Sequence, residues 1–215
     1  MTPDTLSRRP REICMLAPVV PVLVVDDARI AQDLAKALVA GGLPALEVTL
    51  RTPAALDVIR AMAEVEGGVV GAGTLLTPDD VSAAAAAGAQ FGGSPGETDR
   101  LLEACVDADL PLLPGAATAT EAMALLEKGY TVQKFFPAEA SGGAAALKSL
   151  ASPLPQISFC PTGGVSLKNA PDYLGLPNTL CVGGSWVAPA NLIAAGDWDG
   201  ITALAREAAG LARSH

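Results

Sequence analysis

The sequence predicts an α/β fold, a single (β/α)8 barrel with a short N-terminal helical extension, and three observations point that way. Eight short, β-rich apolar runs alternate with Ala- and Leu-rich stretches of helical character. The runs recur roughly every 20 to 25 residues, the length of one βα unit. No G-x-G-x-x-G follows the first run, which counts against an open dinucleotide-binding sheet. Eight such units without extra strands favour a closed TIM barrel. A single domain is expected over 1–215, with the extension at 1–17 and the barrel at 18–212.

The strand runs are 19–25, 44–50, 69–75, 89–95, 111–117, 131–137, 156–163 and 179–185. The intervening helices carry start signals. Asp26-Asp27 opens the first, Thr77-Pro78-Asp79 the third, and Ser94-Pro95-Gly96-Glu97 leads into the fourth. Glycines close several of them, at Gly41-Gly42, Gly88 and Gly129. No linker or low-complexity tract divides the chain.

Composition bounds the function classes. Half of the 215 residues are hydrophobic and only 17% are charged, which excludes a disordered chain. Aromatics make up 4%, so the core must be built from Ala, Val and Leu. A net charge of -9 argues against nucleic acid or an anionic membrane as partner. No run reaches the apolar length of a membrane span, and a cytoplasmic location is expected. Cys14, Cys105, Cys160 and Cys181 show no C-x-x-C spacing and read as reduced core thiols. The only histidine is His215, at the last position, so no histidine catalysis or histidine metal site is expected.

The second and sixth runs carry chemistry. In Ala45-Leu-Glu-Val-Thr-Leu-Arg51, alternation puts Leu46, Val48 and Leu50 toward the helices, with Glu47, Thr49 and Arg51 toward the interior. Charges there are costly unless paired or used. Glu47 and Arg51 are roughly 13 Å apart by strand rise, so each needs another partner. The sixth run, Thr131-Val-Gln-Lys-Phe-Phe-Pro-Ala-Glu139, supplies one. Strands two and six face each other across an eight-stranded barrel. Of the five lysines only Lys134 falls inside a strand. Burial disfavours its ammonium form, which would free the amine to attack a carbonyl. Paired with Glu47, the same lysine could equally be a structural ion pair. Thr162-Gly163-Gly164 and Gly183-Gly184-Ser185 end the last two runs, where loops of this fold hold phosphate.

Taken together, these residues resemble the bacterial 2-keto-3-deoxy-6-phosphogluconate (KDPG) and 4-hydroxy-2-oxoglutarate aldolase family. Glu47-Val-Thr-Leu-Arg-Thr52, Gly71-Ala-Gly-Thr74, Lys134-Phe-Phe-Pro-Ala-Glu139 and Phe159-Cys-Pro-Thr-Gly-Gly164 look like its signature segments. The resemblance implies a metal-free, cofactor-free class I aldolase of the Entner-Doudoroff pathway, a homotrimer that takes a small keto-acid phosphosugar. Lys134 would form the imine and Glu47 would shuttle protons. Arg51 and Thr74 would hold the carboxylate. Pro95, Phe136 and Thr162 would line the pocket, and Gly163, Gly164, Gly184 and Ser185 would cradle the phosphate. Gln133, Gly92-Gly93 and Ala116-Ala117 depart from the pattern and bear on substrate scope. Gln133 should point at the helix layer and need hydrogen-bond partners. Gly92-Gly93 should weaken the fourth strand or widen the interior. Two other readings stay open: a phosphosugar isomerase or epimerase on the same fold, and a non-catalytic or engineered trimeric scaffold.

Overall fold

The computed structural model describes residues 3–213, so the lone histidine, His215, lies outside the described residues. Helix α1 (Pro3–Met15) forms the N-terminal extension. The strands are β1 (Val19–Leu23), β2 (Ala45–Thr49), β3 (Val69–Gly73), β4 (Phe91–Gly93), β5 (Leu112–Leu113), β6 (Gly115–Ala116), β7 (Val132–Phe135), β8 (Ser158–Pro161) and β9 (Val182–Gly184). Between them run α2 (Ala31–Ala40), α3 (Ala55–Ala63), α4 (Pro78–Ala86), α5 (Asp99–Asp107), α6 (Ala119–Glu127), α7 (Gly143–Ala151) and α8 (Ala170–Leu174). Two helices, α9 (Ala190–Ala195) and α10 (Trp198–Ala209), follow the last strand.

Every ladder is parallel, as helical crossovers require. The strands form a six-stranded sheet in the order β5-β4-β3-β2-β1-β9 and a three-stranded sheet β6-β7-β8. The eight predicted runs are all present, but the fifth is divided. Pro114 has no N–H to donate and falls between the two pieces. β5 pairs with β4, β6 pairs with β7, and the Pro114 carbonyl accepts from Lys134 N–H at 2.8 Å. The strands are almost wholly buried, as expected where helices cover one face and side chains fill the other.

Two apolar clusters result. The larger joins strands to helices and includes Leu46, Val48 and Phe135. The smaller gathers Val20, Ala45, Phe91, Val132 and Cys160 with Ile13 and Cys14 of α1. Ser7 of α1 donates to the Gly129 carbonyl and accepts from Thr131 N–H, docking that helix just ahead of β7.

Local signals explain most helix boundaries. Thr77 caps α4 in a full capping box with Asp80, and Pro78 takes the first turn. Asp27 caps a short 3-10 turn (Ala28–Ile30) that leads into α2. For α5 the expectation was misplaced: the cap is Thr98, whose hydroxyl accepts from Leu101 N–H, and 94–97 remain in the preceding loop. Gly42, Gly88 and Gly129 turn the chain out of α2, α4 and α6 at positive φ.

Candidate active site

Alternation along β7 sends Val132 and Lys134 inward and Gln133 toward the helix layer. Gln133 is fully buried, and its Nε2 donates to the carbonyls of Ala122 (3.0 Å) and Tyr130 (2.9 Å). Its Oε1 has no protein partner, a cost of about 1–3 kcal/mol where no water reaches it. The hydrogen-bond partners expected for this residue are therefore half supplied.

Lys134 meets Glu47 across the interior, with Nζ to Oε1 at 2.7 Å. Both side chains are almost fully buried, at 7% and 4% exposed. Space for Glu47 comes from β3 next to it and from β4 one strand further along the sheet. A Cβ on Gly73 would lie 2.3 Å from Glu47 Oε1, and one on Gly93 would lie 3.3 Å from its carboxylate. Of the two β4 glycines, then, Gly93 opens the interior as expected. Gly92 does not, because the Leu75 methyl fills its space, 2.5 Å from where a Cβ would sit. The Phe136 ring lies 5.9 Å from Lys134 Nζ, within reach of a cation–π contact.

Arg51 is placed differently from the expectation. β2 ends at Thr49, so strand alternation does not carry to residue 51. Arg51 is exposed in the following turn rather than inside the barrel, and its Nε donates to Thr74 Oγ1 at 3.2 Å. Leu50 likewise leaves the strand and is only half-buried. Thr49 stays inside and donates to the Leu23 carbonyl at 2.9 Å. Thr74 itself has φ of 62°, a left-handed conformation that costs a β-branched residue about 1–3 kcal/mol. That strain turns its hydroxyl toward Arg51 at the end of β3.

A cavity of about 290 Å³ collects the predicted binding residues: Arg51, Thr74, Pro95, Phe136, Thr162, Gly163, Gly164, Gly184 and Ser185. Lys134 and Glu47 are not among its lining residues, and Phe136 is what joins the ion pair to it. Val22, Val24 and Val165 also line it and went unpredicted. A valine at a strand end carries no signal that separates pocket wall from core, although Val24 is 48% exposed. Gly163 and Gly164 have φ of 100° and 78°, conformations closed to most other residues, and so form a tight turn at the cavity edge. A larger cavity of 490 Å³, walled by Leu6, Val106 and Tyr130, holds none of the predicted residues. The smaller one is the candidate site because polar groups from four strand ends converge on it.

The four thiols are free and buried. Burial pushes the Cys105 thiol up to about 12, which marks it as inert packing.

Comparison with known proteins places the chain in a family. The sequence profile of the KDPG and KHG aldolases matches residues 11–204. The chain is 52% identical over 198 residues to the 2-dehydro-3-deoxy-phosphogluconate aldolase of Dickeya dadantii, covering 92% of this chain and 93% of that protein. It is 53% identical over 197 residues to the KHG/KDPG aldolase of Escherichia coli K12, covering 91% and 92%. The crystal structure of the 2-keto-3-deoxy-6-phosphogluconate aldolase of Zymomonas mobilis ZM4 with 3-phosphoglycerate superposes with a TM-score of 0.91. That protein is 51% identical, with 96% of this chain and 98% of that one covered. The Legionella pneumophila KDPG aldolase, solved with pyruvate captured at low pH as a covalent carbinolamine, matches with a TM-score of 0.90. It is 44% identical, over 94% of this chain and 98% of that one. On sequence and structure alike, the chain belongs to the KDPG and KHG aldolase family.

Proposed function

We propose that this protein is a class I aldolase that reversibly cleaves 2-keto-3-deoxy-6-phosphogluconate to pyruvate and glyceraldehyde 3-phosphate, and accepts 4-hydroxy-2-oxoglutarate by the same chemistry. The observation that carries this reading is the buried Lys134–Glu47 pair, 2.7 Å apart and joined to the cavity by the Phe136 ring. The carbinolamine trapped in the Legionella protein is a stage on this route.

The steps follow from the pair. The Lys134 amine must first lose a proton, and the carboxylate it touches can take it. Nζ then adds to C2 of the keto acid, and Glu47 passes the proton it took to the carbinolamine hydroxyl, which leaves as water; a protonated imine and an ionised Glu47 remain. Glu47, through a water, removes the proton of the C4 hydroxyl. The C3–C4 bond breaks, its electrons pass into the imine as an enamine, and the aldehyde departs. Protonation at C3 and addition of water release pyruvate and restore the lysine. The imine is the electron sink, so the scheme needs no Lewis acid.

Arg51 and Thr74 take the substrate carboxylate in this reading, because a guanidinium and a hydroxyl stand 3.2 Å apart at the cavity wall. Pro95, Phe136 and Thr162 shape the middle of the cavity. Gly163, Gly164, Gly184 and Ser185 receive the phosphate, since backbone N–H groups at glycine-rich strand ends suit an anion. We further propose that the two sheets complete a closed (β/α)8 barrel in one domain over 1–215. The isolated parallel bridges Phe159↔Thr179 and Thr162↔Gly183, beside β8 and β9, support closure on one side. The continuity of β5 and β6 through Pro114 supports it on the other. A cytoplasmic homotrimer completes the proposal.

The test is incubation with pyruvate and sodium borohydride, followed by intact-mass measurement and peptide mapping. A reduced pyruvyl adduct is expected on Lys134 and absent from Lys134→Ala and Lys134→Arg. An adduct on another residue, or none, would reject the assignment and favour a structural ion pair.

A further inference from the structure

The Gly163–Gly164 turn is held from one side by a residue for which the scheme above has no use. Glu139 donates its N–H to the Gly163 carbonyl at 3.0 Å, and Ala138 does the same to Thr162 at 2.8 Å. The Glu139 side chain lies directly over Gly164, so close that a Cβ there would sit 2.6 Å from Glu139 Cγ. Its carboxylate accepts a hydrogen bond from the hydroxyl of Tyr173 in α8. A Cβ on Gly143, the first residue of α7, would stand 3.4 Å from Glu139 Oε1 and 3.6 Å from the Tyr173 hydroxyl. The end of β7, the start of α7, helix α8 and the turn after β8 thus meet at one contact. On the far flank, Asn169 Nδ2 donates to the Gly164 carbonyl at 3.1 Å.

The chemistry of this contact is unexpected. Glu139 is an exposed carboxylate beside a turn that should receive an anion, where a second negative charge opposes binding. Tyr173 is fully buried, and burial followed by the bond to Glu139 pushes its hydroxyl well above the ordinary tyrosine range, so it remains a donor. An acid tied down by such a donor has its stem pressed on the turn and its charge directed away into α8.

We propose that Glu139 and Tyr173 form a latch that positions the Gly163–Gly164 turn for the phosphate of the substrate, acting as positioning residues rather than catalytic ones. The proposal rests on the reading of that turn as the phosphate end of the cavity. Without the latch, the turn keeps its bonds from Ala138, Glu139 and Asn169 but loses the side chain pressed on Gly164, so its N–H groups are held less closely in place and the loss falls on the phosphorylated end of the substrate alone. Imine formation at Lys134, on the preceding strand, does not depend on it.

The experiment compares wild type with Tyr173→Phe, Glu139→Ala and Glu139→Gln. It measures kcat and KM for KDPG and for the same keto acid without its phosphate, together with the yield of borohydride-trapped pyruvate. Tyr173→Phe and Glu139→Ala should each raise KM for KDPG about tenfold, the worth of one hydrogen bond to a charged group. KM for the unphosphorylated keto acid and the trapped-pyruvate yield should not move. Glu139→Gln, which still accepts from Tyr173, should restore most of the KDPG affinity. An unchanged KM for KDPG, or equal losses on both substrates, would overturn the latch. Loss of trapped pyruvate in wild type itself would instead overturn the aldolase reading. Should Tyr173→Phe fail to fold, the exposed Glu139→Ala and Glu139→Gln pair decides the matter.

Discussion

At the scale of single residues, the site depends on placing charge where water is scarce. Lys134 and Glu47 are each almost fully buried, and each would be costly to bury alone. Removing one partner leaves the other charge uncompensated, so the informative substitution keeps the shape and a hydrogen-bond acceptor for Lys134 while removing the ionisable carboxyl. Glu47→Gln should leave pyruvate able to bind while lowering turnover by roughly 10²- to 10⁴-fold, the usual range for a general acid–base group. Steady-state kinetics on KDPG check this, and an undiminished kcat would take Glu47 out of the proton path. The same residue explains why β3 and β4 are glycine-rich. Gly73 stands where any side chain would collide with the Glu47 carboxylate, and Gly93 where one would press tightly against it. Reading along the chain, Gly92-Gly93 looks like one weak spot. In space the two glycines do different things, because successive strand residues face opposite sides of the sheet.

At the scale of elements, caps and turns place the cavity wall. Helix α6 begins with a capping box in which Thr118 accepts from Glu121 N–H. The Glu121 carboxylate in turn accepts from Ala117 (2.8 Å) and Thr118 (2.9 Å) N–H. The Ala117 N–H, with smaller help from Thr118, holds the Glu121 carboxyl below the ordinary glutamate range. A carboxyl whose folded pKa is lowered stabilises above its unfolded value, and that stability is lost as pH falls through the folded value. The melting temperature of Glu121→Gln should therefore lie below wild type near neutral pH, with the gap closing under acid conditions below the glutamate range. Thermal melts across pH check the sign, and a gap that widens toward acid would contradict it. The boxes at Thr77 and Thr118 rest on local sequence, which is why the first was predictable from Thr77-Pro78-Asp79. The start of α5 was misread because Ser94-Pro95-Gly96-Glu97 resembles a start signal locally. Pro95 instead stays in a loop that walls the cavity, Gly96 lines a neighbouring one, and Thr98 caps the helix.

At the scale of the whole molecule, the chain gathers the polar groups of the candidate cavity at strand ends and commits nearly all its strand surface to packing. Membership of the KDPG and KHG aldolase family and a TM-score of 0.91 to the Zymomonas protein establish the architecture. The trimer proposed for it predicts sedimentation at about three times the 21.6 kDa chain mass. Analytical ultracentrifugation at micromolar protein checks that, and a monomer would sink it. Much of the candidate site was legible from residue types conspicuous in their setting: a lysine and a glutamate inside apolar strands, and paired glycines at strand ends. Val22, Val24 and Val165 were illegible because a valine in or beside an apolar strand carries no mark that separates pocket wall from core.

The linear order of residues was enough to determine the eight βα units, the inward turn of Glu47 and Lys134, and the polar and glycine groups gathered at the cavity, because period-2 alternation and turn chemistry are local. Only the tertiary structure decided that Arg51 sits at the rim against Thr74, that Leu75 fills the gap beside Gly92, and that Glu139 meets Tyr173 over Gly164. Each of those depends on where one strand stops relative to a neighbour far away in sequence, a distance set by packing and by which hydrogen bonds a strand end can still make.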